Sequence, residues 1–429
     1  MIYSEVIDYM YSQLPMFHRI GKAAFKSGLD NALHLDSYFK FPHRNYKTIH
    51  VAGTNGKGSV SHSVAAILQS AGYKTGLFTS PHLKDFRERI RVNGEMIPET
   101  EVVDFIENHQ KVFDEIKPSF FEMTSALAFY YFEKEKVDVA IIEVGMGGRL
   151  DSTNIITPEL SVITNIGFDH TEFLGDTLAK IAAEKAGIIK PGVPVVIGEY
   201  HPETWPVFEQ IASQNRADIT VADKSLRADY SLFSADEKQI FTIYQGESPV
   251  YKRLVFDLSG FYQRKNILTI LAVVEQLRNL GFSINNESMY SALANVSALT
   301  GLKGRWQTLG HNPLIICDTG HNVDGITWIT QQIKAVPYKK LHIVMGVVSD
   351  KDVTSILGLL PKEATYYFSK ANIPRALDAL KLKEKARTFD LYGESYTSVS
   401  EALIAAQTNA AKEDFIFVGG STFVVAEVI

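Results

Sequence analysis

Residues 49–59 of the chain read IHVAGTNGKGS. An apolar segment leads into a turn that holds three glycines and a lysine, and a helical pattern begins near Ser59. Glycines in such a turn let backbone N–H groups point at phosphate oxygens, while the helix N-terminus adds its dipole and the lysine reaches the terminal phosphates. The segment therefore predicts a nucleotide phosphate site, and the residues placed for it are Gly53, Gly56, Lys57 and Gly58.

This segment departs from the common phosphate-loop pattern G-x-x-x-x-G-K-[ST] at two positions. Val51 occupies the first glycine position, and Gly58 replaces the hydroxyl residue after the lysine. Because that hydroxyl normally binds Mg²⁺, the metal ligand here must be Ser59 or a residue from elsewhere in the chain. The alternative is a plain glycine-rich turn with an exposed lysine, which the flanking strand and helix disfavour.

The pattern around this segment predicts the fold class. From residue 46 onward, short β-rich segments alternate with helical patterns, which is typical of a parallel sheet covered by helices. Residues 217–260 alternate aromatic and β-branched side chains and predict an antiparallel attachment, and a second alternating block begins near residue 300. We therefore expect an α/β fold, with a mostly parallel P-loop-type domain at 1–298 and a smaller α/β domain at 299–429. The first strands are predicted at 46–52, 74–79, 137–144, 160–166 and 193–197.

Length and composition agree with two domains. The chain has 429 residues, more than a single hydrophobic core usually organises. A net charge of −6 argues against a nucleic-acid partner, because proteins that bind nucleic acids normally present a basic surface. Cys317 is the single cysteine, so we expect no internal disulfide and a cytoplasmic location. The sequence holds no run of eighteen apolar residues and begins with an amphipathic helical pattern, so we expect neither a membrane span nor a secretory signal.

Polar residues follow three of the predicted strands. They are Ser80 in the TSPH segment, Glu143 at the end of VAIIE, and Asp169 with His170 in NIGFDH. Open α/β sheets bind their ligands at the carboxyl ends of the strands, and a buried acid after a strand often holds Mg²⁺. Lys185 lies on a predicted helix, where a lysine is usually solvated, and the residues around it give no reason to choose it.

Eight segments then occur in a fixed order within residues 21–325: AGTNGKGS, TSPHL, EVGMGGRLDSTN, NIGFDH, EKAGIIK, YQRKN, KGRW and DTGHN. Together they resemble the Mur ligase superfamily, and specifically its folylpolyglutamate synthase/dihydrofolate synthase branch. The resemblance implies an N-terminal ATPase domain and a smaller Rossmann-like C-terminal domain with the active site between them.

The resemblance also implies roles for individual residues. The ATP contacts would be Gly53, Thr54, Asn55, Gly56, Lys57, Gly58, Ser59, Asn266, Arg305 and Asp318. The Mg²⁺ ligands would be Ser80, Glu143 and His170, joined by Lys185 after CO₂ converts it to a carbamate that binds a second cation. The catalytic residues would be Lys57, Lys185 and His321. The folate contacts would be Ser27, Gly28, Ser119, Phe120, Phe121, Glu122, Leu150, Asp151 and Ser152.

One segment departs from the family pattern. Members usually read close to D-x-G-L-x-R where this chain has FKSGLDN, so the acid and the arginine are both missing there. The departure concerns recognition of the pterin and leaves the ATP chemistry untouched.

The implied activity is ATP-dependent joining of L-glutamate to dihydropteroate, to (tetrahydro)folylpolyglutamate, or to both, through an acyl phosphate. It would serve folate biosynthesis and one-carbon metabolism, with two Mg²⁺ ions, small-molecule substrates only and a monomeric enzyme. A peptidoglycan Mur ligase is one alternative, but only 52 residues precede Gly53, too few for its nucleotide-sugar domain. A nucleotide-binding regulator and a simple kinase are the others.

Overall fold

The computed structural model describes residues 1–13, 28–229, 232–234, 236–349 and 352–429. The chain forms two compact units, Met1–Leu258 with Gln263–Leu302, and Ser259–Tyr262 with Lys303–Ile429. The predicted division at 298/299 falls inside the helix Val296–Thr300. That helix belongs to the first unit, because Val296 is buried in its core and Leu302 packs against it. The sequence had not indicated that Ser259–Tyr262 belongs to the second unit.

The first unit is built on an eight-stranded sheet in the order β4-β3-β2-β5-β1-β6-β7-β8. Strands β2, β5, β1, β6, β7 and β8 run parallel, and β3 and β4 add an antiparallel edge. The mostly parallel prediction is confirmed. The strands are β1 (Lys47–Ala52), β2 (Thr75–Phe78), β3 (Ile90–Val92), β4 (Glu95–Met96), β5 (Val139–Glu143), β6 (Leu160–Ile163), β7 (Val195–Ile197) and β8 (Ile219–Val221).

Helices cover both faces of this sheet. Alternate residues of β5 enter different cores: Val139 and Ile141 pack with one, Ala140 and Ile142 with the other. A strand buried on both faces has no polar side to present, which explains its continuous apolar sequence. The described α-helices of this unit are Tyr3–Gln13, Asp30–Tyr38, Lys57–Ser70, Glu99–Ile116, Phe120–Lys134, Thr171–Leu174, Leu178–Ala186, Trp205–Asn215, Ala222–Ser225, Gln263–Asn279, Asn286–Leu293 and Val296–Thr300; the 3₁₀ helices are Pro42–Asn45 and Phe86–Arg89.

A small antiparallel sheet packs on the same unit, as residues 217–260 predicted. Its strands are β9 (Arg227–Ala228), β10 (Leu232–Phe233), β11 (Gln239–Gln245) and β12 (Ser248–Phe256). The prediction was wrong for the start of this stretch, since β8 pairs parallel with β7 and extends the large sheet. Three residues are too few for a pattern to distinguish the two kinds of pairing.

The second unit contains a six-stranded sheet in the order β13-β14-β18-β15-β16-β17, in which β13 alone runs antiparallel. Its strands are β13 (Gln307–Gly310), β14 (Leu314–Cys317), β15 (Leu341–Met345), β16 (Thr365–Phe368), β17 (Tyr392–Ser395) and β18 (Phe415–Gly419). Its described helices are Val323–Ala335, Val353–Leu357, Ala379–Arg387, Val399–Asn409 and Thr422–Ala426. Within the described part of the chain, every helix is too short or too polar to cross a membrane.

Candidate active site

The glycine loop, residues 53–56, joins β1 to the helix Lys57–Ser70. Gly53 has a φ of +150° and Gly56 a φ of +84°, which L side chains rarely adopt. A Cβ at Gly53 would lie 1.8 Å from Thr164 Oγ1, and one at Gly56 would lie 2.4 Å from Asn266 Oδ1. Both positions therefore require glycine for conformation and for space.

The segment after β6 holds the glycine loop in shape. Asn165 accepts hydrogen bonds from two N–H groups of the loop. Its carbonyl oxygen accepts from the Thr54 N–H at 3.0 Å, and its Oδ1 accepts from the Asn55 N–H at 2.8 Å. Thr164 Oγ1 donates to the Asn55 carbonyl at 2.5 Å. The N–H groups of Thr54 and Asn55 are thus engaged within the protein. The N–H groups of the first helical turn, which begins at Lys57, have no intrahelical acceptor and are the donors offered to an anion.

Ser59 and Asn266 are connected by a glutamine that the sequence analysis did not assign. Gln263 Nε2 donates to Ser59 Oγ at 3.1 Å, and Asn266 Nδ2 donates to Gln263 Oε1 at 2.8 Å. All three side chains are buried. The structure therefore brings Asn266, from the helix Gln263–Asn279, close to Ser59 at the start of the helix Lys57–Ser70, and Gln263 bonds to both of these predicted nucleotide contacts.

Two lysines converge on one carbonyl oxygen. Lys57 Nζ donates to the Gly53 carbonyl at 3.0 Å and lies 3.4 Å from that of Thr54. Lys185 Nζ donates to the same Gly53 carbonyl at 2.9 Å, although the two lysines are far apart in sequence. The structure thus joins the two predicted catalytic lysines of this unit at the glycine loop.

Lys185 is only 4% exposed. Burial, and after it the nearby charge of Lys57, lowers the pKa of Lys185 to about 7, while Asp169 and Asp151 act in the opposite direction. Burial disfavours an ammonium because the charge loses its water. A neutral amine is therefore well populated at neutral pH, unlike in an exposed lysine.

The glycine-rich segment 145–151 places the Lys185 helix. A Cβ at Gly148 would lie 2.7 Å from the Glu184 carbonyl oxygen, and one at Gly187 would lie 2.4 Å from Arg149 Cβ. The Arg149 N–H donates to the Glu184 carbonyl at 2.8 Å, and its guanidinium donates to the Glu184 carboxylate at the same distance. Glycine is required here because backbone approaches backbone, and the close approach fixes the helix end that carries Lys185.

Ser80, Glu143 and His170 lie at the carboxyl ends of three different strands of the large sheet. Ser80 comes after β2, Glu143 ends β5 opposite Val51 of β1, and His170 follows β6. Because β2, β5, β1 and β6 are adjacent and parallel, these residues and the glycine loop share the carboxyl edge of the sheet. Glu143 is 3% exposed. His170 has a φ of +50°, and its N–H donates to Asp169 Oδ1 at 2.8 Å.

A buried carboxylate and a hydroxyl are hard oxygen donors of the kind that Mg²⁺ prefers. Across the described ranges, no three His, Cys, Asp or Glu side chains form a metal-binding group. The predicted set contains only two such residues and depends on a serine and a modified lysine for the rest. Its chemistry fits Mg²⁺, and its ligation stays a prediction.

Four of the predicted folate residues, Ser119 to Glu122, lie at the start of the helix Phe120–Lys134. The Ser119 N–H donates to Glu122 Oε2 at 2.5 Å and the Glu122 N–H donates to Ser119 Oγ at 3.2 Å, which is a capping box. Asn31 Nδ2 also donates to Glu122 Oε2 at 3.2 Å. Asn31 therefore connects this helix start to the SGLDN segment, which contains Gly28 and departs from the family pattern. Ser27 lies outside the described residues.

The neighbouring aromatic residues pack internally. Phe120 is buried with its ring 5.5 Å from that of Tyr11, and Phe121 packs against the backbone of Gly145, where a Cβ would lie 2.4 Å from the ring. Their contact with a folate stays a prediction.

Asp151 closes the glycine-rich segment on itself. Its carboxylate accepts from the Met146 N–H at 2.9 Å, the Thr153 N–H at 3.1 Å and Thr153 Oγ1 at 2.5 Å. Burial nevertheless raises the pKa of Asp151. Leu150 and Ser152 flank it, and Ser152 lines a crevice together with Glu122. The structure thus brings the second and third predicted folate segments to one place.

In the second unit, Asp318 follows β14 and is almost fully buried. Its Oδ2 accepts from Tyr262 Oη at 2.6 Å and from the Trp306 N–H at 2.7 Å, and its Oδ1 accepts from the Gly320 N–H at 2.7 Å. Burial raises the pKa of Asp318 and that of Tyr262. Asp318 therefore anchors the segment Ser259–Tyr262 to this sheet.

Arg305 and His321 lie beside the same turn. Arg305 donates to the Gly304 carbonyl at 3.2 Å and to Thr319 Oγ1, and His321 Nδ1 faces the Thr319 carbonyl at 3.0 Å. The structure therefore groups all three predicted residues of this unit around the carboxyl end of β14. Their roles toward a nucleotide or a substrate stay predictions.

Comparison with known proteins agrees with this arrangement. The family model of the Mur ligase middle domain matches residues 51–274, and that of the Mur ligase glutamate ligase domain matches residues 304–422. The chain belongs to the Mur ligases. It is 31% identical over 419 residues to the dihydrofolate synthase/folylpolyglutamate synthase of Bacillus subtilis, covering 95% of each chain. Within the Mur ligases it therefore belongs to the dihydrofolate synthase/folylpolyglutamate synthase family.

A probable bifunctional folylpolyglutamate synthase/dihydropteroate synthase of Haloferax volcanii is 31% identical over the whole chain, which spans 50% of that protein. Among solved structures, Escherichia coli FolC in complex with DHPP and ADP has a TM-score of 0.86 at 29% identity, covering 100% of this chain and 97% of that one. A bifunctional folylpolyglutamate synthase/dihydrofolate synthase with Mn, AMPPNP and L-glutamate bound has a TM-score of 0.85 at 28% identity, with the same coverage.

Proposed function

We propose that the chain is an ATP-dependent ligase that joins L-glutamate to dihydropteroate, to folylpolyglutamates, or to both. The observation that carries the proposal is the convergence of Lys57 and Lys185 on the Gly53 carbonyl, at the sheet edge that also presents Glu143. The names of its relatives and the nucleotide, glutamate and folate analogue in the related structures support the substrate class.

The reaction needs activation because an amine does not displace oxide from a carboxylate. The substrate carboxylate attacks the γ phosphorus of ATP, ADP leaves, and an acyl phosphate forms. The glutamate amine then attacks the acyl carbon through a tetrahedral intermediate, phosphate leaves, and the amine loses a proton. Lys57 and the N–H groups of the first helical turn stabilise the phosphoryl charge in the first step.

We propose Ser80, Glu143 and His170 as ligands of a first Mg²⁺ ion. Held there, Mg²⁺ would reduce the negative charge of the nucleotide phosphates during transfer. Glu143 supplies the anionic oxygen, held in place by the pairing of β5 with β1. Arg305, Asp318 and His321 keep the roles predicted from the family.

We further propose that Lys185 becomes a carbamate and binds a second Mg²⁺. Its neutral amine attacks CO₂, a C–N bond forms as one C=O π bond opens onto oxygen, and one N–H proton is released, so a carboxylate-like anion replaces the neutral amine. Burial and the low pKa of Lys185 support this step because they supply the neutral amine. The carbamate keeps one N–H for the Gly53 carbonyl, and the repulsion of Lys57 becomes attraction.

A single copy of the chain contributes every proposed ligand, so we propose a monomeric enzyme, which sedimentation of the purified protein checks.

The deciding measurement is ADP release with dihydropteroate and with tetrahydrofolate, each with and without L-glutamate. We expect release that requires both a folate and glutamate. Release without glutamate would identify a kinase, and release insensitive to both would leave a nucleotide-binding regulator. Release only with a nucleotide-linked muramyl substrate would identify a peptidoglycan ligase.

The carbamate has its own test. We expect Lys185→Ala to lose activity and to recover part of it with short carboxylic acids, which place a free carboxylate where the carbamate was. Full activity of Lys185→Ala without any supplement would remove Lys185 from the mechanism.

A further inference from the structure

Arg89 is a buried arginine beside the proposed metal ligands, and no step of the proposed reaction uses it. It ends the 3₁₀ helix Phe86–Arg89 and is 2% exposed. The Asp85 side chain caps the start of that helix. An arginine is rarely buried so completely without a specific partner.

Its contacts hold one short turn at both ends. The Arg89 carbonyl accepts from the Thr79 N–H at 3.0 Å, and its Nε donates to His82 Nδ1 at 2.7 Å. Ser80 lies between Thr79 and His82. We call residues 79–82 the serine turn. Arg89 therefore fixes the serine turn at both ends, since its backbone carbonyl holds Thr79 and its side chain holds His82.

The direction of the side-chain bond defines the state of the histidine. A guanidinium only donates, so His82 Nδ1 accepts and the ring is neutral with its hydrogen on Nε2. His82 Nε2 faces Tyr11 Oη at 3.2 Å. A hydrogen-bonded series thus runs from Arg89 through His82 to the helix Tyr3–Gln13. The Arg89 guanidinium also lies over the Phe120 ring at 5.2 Å, which restricts its plane.

The charge of Arg89 acts on the same edge of the sheet. Burial lowers its pKa to about 10, and the negative charge of Glu143 is among the influences that oppose this. Arg89 therefore stays a cation at neutral pH. A fixed cation would weaken binding of a divalent cation by repulsion alone, so the charge does not explain its position, whereas its hydrogen bonds to the serine turn do.

We propose that Arg89 is a positioning residue of the metal site, which holds the serine turn so that Ser80 lies at the edge occupied by Glu143. This inference rests on the proposed function, because it takes Ser80 and Glu143 as metal ligands. It adds two residues, Arg89 and His82, that would touch neither metal nor substrate.

Binding of Mn²⁺ with AMPPNP, measured by electron paramagnetic resonance, tests the proposal in the full chain. We expect Arg89→Lys and Arg89→Met each to weaken Mn²⁺ binding by about tenfold or more, as loss of a residue that orients metal ligands does. AMPPNP affinity in excess chelator should stay within about twofold of wild type. If charge alone mattered, Arg89→Lys would bind Mn²⁺ like wild type and Arg89→Met would bind it more tightly, and that result would overturn the proposal.

The histidine separates positioning from general damage. His82→Asn keeps an acceptor for Arg89 and should retain Mn²⁺ binding, whereas His82→Leu should lose as much as Arg89→Lys. The double variant Arg89→Lys/His82→Leu should lose no more Mn²⁺ affinity than either single variant, since both substitutions remove the same hydrogen bond between Arg89 and His82. Should Arg89→Met fail to fold, the Lys variant and the two His82 variants still decide the matter.

Arg87→Met is the matched control. Arg87 lies in the same 3₁₀ helix, but its guanidinium pairs with Asp85 and Glu99 and makes no bond to the serine turn. The Arg87→Met variant should bind Mn²⁺ like wild type, and a loss of Mn²⁺ affinity equal to that of Arg89→Met would overturn the proposal. Mn²⁺ binding that survives Glu143→Gln would overturn it as well. A wild type that binds Mn²⁺ as expected but releases no glutamate-dependent ADP would refute the proposed reaction alone.

Discussion

Replacing Lys185 by methionine should stabilise the protein when nucleotide, metal and CO₂ are all absent. The wild-type side chain is 4% exposed, so its ammonium is deprived of water, and Lys57 adds a second positive charge at the same carbonyl. Methionine is unbranched and of similar length, so it fills the same volume without a charge. Removing a group that the reaction requires should therefore increase the free energy of unfolding.

The magnitude follows from the pKa of Lys185, which is lowered from 10.5 to about 7. Linkage converts this difference into a destabilisation of about 4 kcal/mol at pH 7, where the group is half protonated. Methionine also loses the hydrogen bond to the Gly53 carbonyl, a loss of about 1 kcal/mol. That carbonyl keeps Lys57 Nζ at 3.0 Å, so no acceptor is orphaned. The expected gain is about 3 kcal/mol.

The gain should depend on pH in a defined direction. Between pH 7 and 10.5 the unfolded chain binds more protons at Lys185 than the folded chain does, so wild-type stability rises with pH across this window. The destabilisation falls from about 4 kcal/mol at pH 7 to about 2 kcal/mol at pH 9. The advantage of Lys185→Met should therefore shrink to about 1 kcal/mol at pH 9.

Urea unfolding in buffers sparged free of CO₂, at pH 7 and pH 9, measures both quantities. Lys180→Met is the control, because Lys180 lies on the same helix, is exposed and pairs with Asp176 at the surface. Its change should stay below about 1 kcal/mol at either pH. Adding bicarbonate should stabilise wild type and leave Lys185→Met unchanged. A methionine variant no more stable than wild type at pH 7 would refute the reasoning about the buried charge.

The remaining predictions concern the glycine loop and the second unit. Lys57→Ala should lower kcat/KM by about 10²–10³ because one preorganised charge contact is lost, and near-normal ADP release would contradict this. Gly53→Ala should abolish AMPPNP binding in calorimetry, because its Cβ would lie 1.8 Å from Thr164 Oγ1 at a φ of +150°. Tyr262→Phe should lower the unfolding free energy of the second unit by about 1–2 kcal/mol, since Asp318 loses a donor; an unchanged urea midpoint would show that this bond contributes nothing.

The sequence predicted the buried strands well and the edge strands poorly. The apolar run predicted at 46–52 became β1, Lys47–Ala52, because a strand buried on both faces leaves an uninterrupted apolar pattern. The hairpin β3 and β4 was not predicted, since strands of three and two residues are shorter than any period that a pattern can reveal. Neighbour order in the sheet, which brings β2 beside β5, is also absent from local patterns.

The candidate site divides in the same way. Gly53 and Lys57 were predicted from the residues alone, because phosphate binding imposes a local spacing. Lys185 was chosen only through the family resemblance, although it stands four residues after the buried Ile181 and so on the inward face of its helix. That spacing was a usable signal. Arg89 and Gln263 had no such signal in the sequence, since no local pattern shows that Arg89 bonds to His82 or that Gln263 bonds to Ser59, and only the fold brings these side chains together.

The origin of their hydrogen-bond donors distinguishes the two buried aspartates that the family resemblance assigns to substrates. A carboxylate offers about four lone-pair positions. Asp318 accepts three donors, from Tyr262, Trp306 and Gly320, so one position remains for a ligand hydroxyl. Asp151 also accepts three donors, two from Thr153 and one from the Met146 N–H, and all of them lie within five residues of it in the chain.

We therefore expect Asp151 to shape the folate segment and the backbone of its neighbours, Leu150 and Ser152, to meet the ligand. Breaking one of the Asp151 bonds for a ligand would forfeit about 1–3 kcal/mol at a buried group. A folate complex in which the Asp151 carboxylate accepts directly from the pterin, with its three internal donors still in place, would contradict this expectation.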